Sequence, residues 1–180
     1  MPDEVYARSH VLLAAALTEL FNGQLMSELK VGDQAPAFQA TAVGGNYDGQ
    51  TVSLGALRGK TAVLYFYPKD DTPGCTKQAC GLRDAWRDFA GKAEVFGVST
   101  DLVKSHAKFI EKFNLPFPLL SDPEKKLVTA YGVWVEKSMY GKKYLGTERS
   151  TFVIGPDGRI KAIFRKVKPE EHAAQLLNAL

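Results

Sequence analysis

The sequence predicts an α/β fold built on a mixed central sheet flanked by helices. Two observations carry that expectation. Almost wholly apolar runs, Thr61–Phe66 and Glu94–Ser99, alternate with segments of helical periodicity, as strands buried on both faces do when helices cover them. Near the end, Gly155-Pro-Asp-Gly158 separates two further strand-like runs, which signals an antiparallel hairpin after the alternating part.

The elements follow in order. Ala37–Thr41 and Thr51–Ser53 are expected as short strands, with turns at Gly44-Gly45 and Asp48-Gly49. Thr61–Phe66 is the central strand. From Thr76 to Ala90, the residues Ala79, Leu82, Trp86, Phe89 and Ala90 keep helical spacing. After the strand Glu94–Ser99, a helix places Leu102, His106, Phe109, Ile110 and Phe113 on one face. Pro116 and Pro118 end it and lead into Phe117–Ser121. Ser121-Asp-Pro-Glu124 offers an N-cap and an early proline for another helix. Ser150–Ile154 and Ile160–Val167 form the hairpin, and Ala173, Leu176, Leu177 and Leu180 stripe a closing helix. This order matches a thioredoxin-like sandwich.

With 180 residues, 45% hydrophobic and 24% charged, the chain suits one domain with an appendage. We expect residues 1–27 to be an N-terminal extension, disordered or dispensable, and residues 28–180 to be the domain. Leu13, Leu17 and Leu20 could stripe a short amphipathic helix in the extension, but Asp3 and Glu4 do not suit a signal peptide. A net charge of +3, scattered along the chain, gives no reason to expect nucleic acid as a partner. No apolar run is long enough to span a bilayer, so no membrane partner is expected. Two closely spaced cysteines suit a redox pair in a reducing, cytoplasmic setting better than a disulfide framework.

Both cysteines lie in Tyr67-Pro-Lys-Asp-Asp-Thr-Pro-Gly-Cys-Thr-Lys-Gln-Ala-Cys-Gly81. Cys75 falls where a buried strand hands over to a helix N-terminus, whose unpaired amides and dipole favour a thiolate. Gly74 permits close backbone approach, Pro73 stiffens the loop, and the Thr72 hydroxyl can point into the same space. Cys80 follows five residues later. In an intact helix the two are about 7.5 Å apart along the axis and about 140° apart around it. A disulfide tolerates Cα separations only up to ~7 Å, so the pair could bond only if the first turns unwound. Arg149, opening the strand-like Glu148-Arg-Ser-Thr-Phe-Val-Ile154, is the candidate cation for such a site; an arginine at a strand edge is more often a surface residue, and the case for it leans on the resemblance given below.

Other chemistries fit less well. Gly55-Ala-Leu-Arg-Gly59-Lys60-Thr61 is one residue too short for a phosphate-binding loop and precedes a strand. The histidines and cysteines lack zinc-site spacing, so no zinc site is expected. His106 lies on an apolar helix face and is expected to be packed, not catalytic. His172, near the start of the last helix, is expected to be solvated. A Cys–His hydrolase is compatible with the composition, but nothing identifies its histidine.

Taken in order, the motifs identify a family. The pattern Pro68, Thr72, Cys75, within Phe66-Tyr-Pro-Lys-Asp-Asp-Thr-Pro-Gly-Cys-Thr76, resembles the bacterioferritin-comigratory (Q-type) peroxiredoxins. So do Lys30-Val-Gly-Asp33, Ala35-Pro-Ala-Phe38, Gly97-Val-Ser-Thr-Asp101, Asn114-Leu-Pro-Phe-Pro-Leu-Leu-Ser-Asp122 and Arg149-Ser-Thr-Phe-Val-Ile154, together covering about residues 28 to 180. The resemblance implies a thioredoxin-like thiol peroxidase for hydrogen peroxide and organic hydroperoxides. It matches Cys75 to the peroxidatic cysteine, Pro68, Thr72 and Arg149 to the residues around it, and Cys80 to a resolving cysteine. It implies no cofactor, re-reduction by thioredoxin or a similar dithiol, and a monomer. The alternatives are a protein disulfide oxidoreductase or redox sensor, against which the absence of Cys-x-x-Cys argues, and a binding protein whose thiols are incidental.

Overall fold

A computed structural model describes residues 28–180. The expected extension, with its leucine stripe, lies outside the described residues. The central strand β3 (Ala62–Phe66) is buried along its whole length. Its parallel neighbour is β4 (Glu94–Ser99), and β8 (Ser150–Ile154) runs antiparallel on its other side. The full order is β2-β1-β5-β4-β3-β8-β9. The remaining strands are β1 (Gln39–Val43), β2 (Thr51–Ser53), β5 (Leu119–Ser121) and β9 (Ile160–Phe164). Only β3/β4 and β4/β5 are parallel, so the sheet is mixed as expected.

Alternation along β3 divides the core into two layers. Ala62, Leu64 and Phe66 join Phe96, Phe152 and Tyr131 on one face, with Leu127 and Val128 from α4 (Lys126–Ala130). Val63, Tyr65 and, just past the strand, Tyr67 join the other face. There they meet Cys75 and Leu82 of α1 (Pro73–Asp84), Phe109 of α3 (Val103–Phe113) and Leu176 of α5 (His172–Leu177). Helices therefore cover both faces, which is why β3 carries no polar side.

Two departures from expectation have local causes. The helix expected over Thr76–Ala90 begins at Pro73 and breaks at Ala85, continuing as a short α2 (Trp86–Phe89). Its apolar spacing runs through the break because Phe89 and Trp86 still pack on the same layer. A second sheet, the hairpin of β6 (Trp134–Met139) and β7 (Lys142–Thr147), was not expected. Most of β7 is exposed, so no apolar alternation announces it.

Candidate active site

The register of β3 against β8 explains how the site is assembled. Phe66 pairs with Ser150 and Tyr65 with Thr151. The exit of β3 and the entry of β8 therefore lie side by side. Arg149, one residue before Ser150, shares the parity of Thr151 and Val153 and faces the layer that holds α1 and α5. Residues 74 apart in sequence meet here because the sheet pairs these two strand ends.

Between β3 and α1 the chain makes a tight loop. Pro68 follows Tyr67, whose amide still bonds Val98 of the sheet (3.0 Å). Asp71 adopts a left-handed conformation (φ +52°). Thr72 is the N-cap residue and Pro73 opens the helix. The Thr72 hydroxyl makes no cap bond. It donates to the Lys69 carbonyl (3.0 Å), which bends the loop back on itself and leaves the oxygen lone pairs unengaged by that bond. The first helical bond is Thr76 N–H to Thr72 O (2.8 Å), so the amides of Gly74 and Cys75 have no acceptor within the helix. They and the helix dipole give the Cys75 sulfur a positive local field.

Cys75 is only 2% exposed. Arg149 Nη2 lies 3.4 Å from its Sγ, which sets a cation against the sulfur. A Cβ on Gly74 would come within 3.2 Å of that same Nη2, so glycine here leaves room for the guanidinium. Arg149 Nη1 donates to the buried Gln78 Oε1. Gln78 Nε2 contacts His172 Nδ1 (3.0 Å), and His172 Nε2 contacts Thr151 Oγ1 (2.8 Å). Lys137, from the hairpin, donates to the Thr147 carbonyl two residues before Arg149. Burial first, and then Arg149, hold its ammonium below the ordinary lysine range. Burial, followed by the nearby Cys75, pushes the Tyr65 phenol well above its usual range.

A second polar group anchors the loop from the other side. Asp70 accepts from Tyr67 Oη (2.7 Å) and Ser105 Oγ (2.7 Å) and lies 2.9 Å from His106 Nδ1. The other ring nitrogen of His106 is 3.2 Å from the Leu120 carbonyl. Both nitrogens face oxygen acceptors, an arrangement suited to the doubly protonated ring. Burial opposes ionisation of Asp70, but the bonds from His106, Tyr67 and Ser105 hold its carboxyl below the usual range. His106 is packed, as expected, and also clamps the loop to α3.

The structure brings Cys75 and Arg149 into contact and sets Thr72 at the cap before them. Pro68, half-buried, starts the loop. Cys80 is not brought to Cys75. It is half-exposed, and α1 is unbroken between them, so the two thiols are free. Among the described residues, no group of three or more His, Cys, Asp or Glu is placed to hold a metal ion. None of the described helices is long and apolar enough to cross a membrane.

One expectation fails. His172 is not solvated but fully buried. It lies four residues before Leu176 on the buried face of α5, and its ring nitrogens are used by Gln78 and Thr151. That i, i+4 relation was visible in the sequence and extends the leucine stripe back to His172. Gln78 was also missed. Three residues after Cys75, it lies on the same helical face, and that spacing was its only signal.

Comparison with known proteins gives the chain its family. The AhpC/TSA family profile matches residues 31–163. A putative peroxiredoxin bcp of Coxiella burnetii is 47% identical over 153 residues, 84% of this chain and 99% of that one. Peroxiredoxin Bcp of Bacillus subtilis is 48% identical over 153 residues, covering 84% and 95%. Among solved structures, one from a study of alkyl peroxide reduction by the Xanthomonas campestris bacterioferritin comigratory protein aligns with a TM-score of 0.75. It is 39% identical and covers 84% of this chain and 94% of its own. A Xylella fastidiosa PrxQ mutant aligns at 0.76 and 37% identity, covering 84% and 95%. Peroxide and a thiol reductant are the substrates of such enzymes. The chain belongs to the AhpC/TSA family, among its Bcp-type peroxiredoxins, and is a thiol peroxidase.

Proposed function

We propose that Cys75 is the peroxidatic residue of this thiol peroxidase and that Cys80 resolves it. The Cys75 thiolate attacks one oxygen of ROOH. The O–O bond breaks, its electron pair leaves with RO⁻, which takes a proton to become ROH, and Cys75 becomes a sulfenic acid. Arg149 and Thr72 hold the two oxygens and stabilise the charge on the leaving one, while Pro68 shapes the loop. The observation that carries this assignment is the 3.4 Å contact of Arg149 Nη2 with the Cys75 sulfur, at a helix start whose first amides have no internal acceptor.

The first turns of α1 then unwind, Cys80 attacks the sulfenic sulfur, water leaves, and an intramolecular disulfide forms. Thioredoxin, or a similar dithiol, restores both thiols by exchange. Hydrogen peroxide and organic hydroperoxides are the substrates, the cytoplasm the setting and the monomer the working unit.

The test is peroxide-dependent NADPH oxidation coupled through thioredoxin and its reductase. Wild type turns over continuously and Cys75→Ser does not. Cys80→Ser consumes a single equivalent of peroxide and then stalls. Wild-type turnover by Cys80→Ser would remove Cys80 from the cycle.

A further inference from the structure

Gln78 and His172 are both wholly buried, and the chemistry proposed above uses neither. Their bonds nevertheless run in one direction only. The Arg149 guanidinium has donors and no acceptor, so the oxygen of the Gln78 amide must face Nη1. The amide NH2 then faces His172 Nδ1 at 3.0 Å, which must accept. A neutral imidazole carries one N–H, and it is left on Nε2, donating to Thr151 Oγ1 at 2.8 Å. A proton on Nδ1 would set two donors against each other and turn the amide, placing its NH2 against Arg149. Burial, and then Arg149, hold the His172 pKa down to about 4, which keeps the neutral form through the neutral pH range.

We propose that His172 is a positioning residue for Arg149. It holds the Gln78 amide with its oxygen on Nη1, which leaves Nη2 for the Cys75 sulfur and the bound peroxide. This rests on the assignment of Arg149 as the peroxide-holding group. The position of Gln78 adds a consequence. It lies between Cys75 and Cys80, inside the segment that must unwind for those cysteines to bond. Opening α1 therefore breaks both bonds of Gln78 together. The chain from Arg149 to Thr151 holds the site in the form that reacts with peroxide and releases it as a unit.

The experiment compares His172→Leu, His172→Asn and Arg149→Ala with wild type in single-turnover oxidation of Cys75 by hydrogen peroxide. Circular dichroism checks that each variant is folded. Leu leaves Gln78 free to turn and slows the step about tenfold, less than the loss of the charged donor itself. Asn places its oxygen where Nδ1 stands, accepts from Gln78 and restores most of the rate. A role in packing alone would leave Asn no better than Leu. An Asn variant as slow as Leu overturns the proposal, and so does a Leu variant at the wild-type rate while Arg149→Ala is slow. If Arg149→Ala also keeps the wild-type rate, the assignment of Arg149 is wrong and the proposal falls with it. Should His172→Leu not fold, Gln78→Met carries the same expectation, and a wild-type rate in that variant overturns the proposal too.

Discussion

Arg149 Nη2 lies 3.4 Å from Cys75 Sγ, and the register Phe66 to Ser150 is what places it there. The sulfur thus receives a permanent cation from one strand end and unpaired amides from the helix that begins at the other. Neither contribution depends on a solvent-exposed side chain holding its place.

Removing that cation should be felt at the first step. Arg149→Ala slows Cys75 oxidation by about a hundredfold or more, the usual consequence of losing a donor aimed at developing charge. Arg149→Lys recovers little, because one ammonium cannot serve both the sulfur and Gln78 Oε1. Single-turnover rates at pH 7 check both.

Oxidation should loosen α1 from its start. In an intact helix Cys75 and Cys80 lie about 7.5 Å apart along the axis, so the disulfide form cannot keep its first turns. Amide exchange over residues 73–84 rises on oxidation in wild type and stays slow in oxidised Cys80→Ser. Equal protection in the oxidised and reduced wild type would contradict this.

Asp70 and His106 should behave as a coupled pair. Breaking a buried ion pair by removing one partner costs about 3–5 kcal/mol. Asp70→Ala and His106→Leu should each lower stability by about that amount, and the double variant should lose far less than the sum. Urea unfolding at pH 7 measures all three.

Stability should fall in acid for two separate reasons. His172 takes its proton near pH 6.5 when unfolded but only at about 4 when folded. The unfolded chain therefore binds more protons between those values, and stability is full above the upper one and declines toward the lower, by roughly 3 kcal/mol. Asp70 acts lower still: its folded carboxyl is held below the usual range, so its contribution is present above the ordinary carboxylate pKa and lost as pH falls through the folded one. Urea midpoints at pH 7 and pH 4.5 should differ less in His172→Asn than in wild type.

The sheet and the cysteine loop were legible in the sequence because both are written in local patterns. Strands β3, β4 and β8 are buried on both faces and read as apolar runs, and Pro73-Gly74-Cys75 marks a helix start. The β6–β7 hairpin was not legible. Most of β7 is exposed, and the turn, Tyr140-Gly141, has positive φ at both residues without the asparagine or aspartate that usually signals it. The role of His172 was hidden for another reason. Its partners Gln78 and Thr151 lie on other elements, and only tertiary pairing shows that a polar residue in an apolar stripe is satisfied.

The most direct test of the account is the intact mass of the fully reduced protein a few seconds after mixing with one equivalent of hydrogen peroxide. Cys75 oxidation followed by attack from Cys80 predicts the loss of two hydrogens in wild type and no change in Cys75→Ser. An unchanged wild-type mass would contradict an activated Cys75 thiolate, and a stable gain of one oxygen would contradict resolution by Cys80.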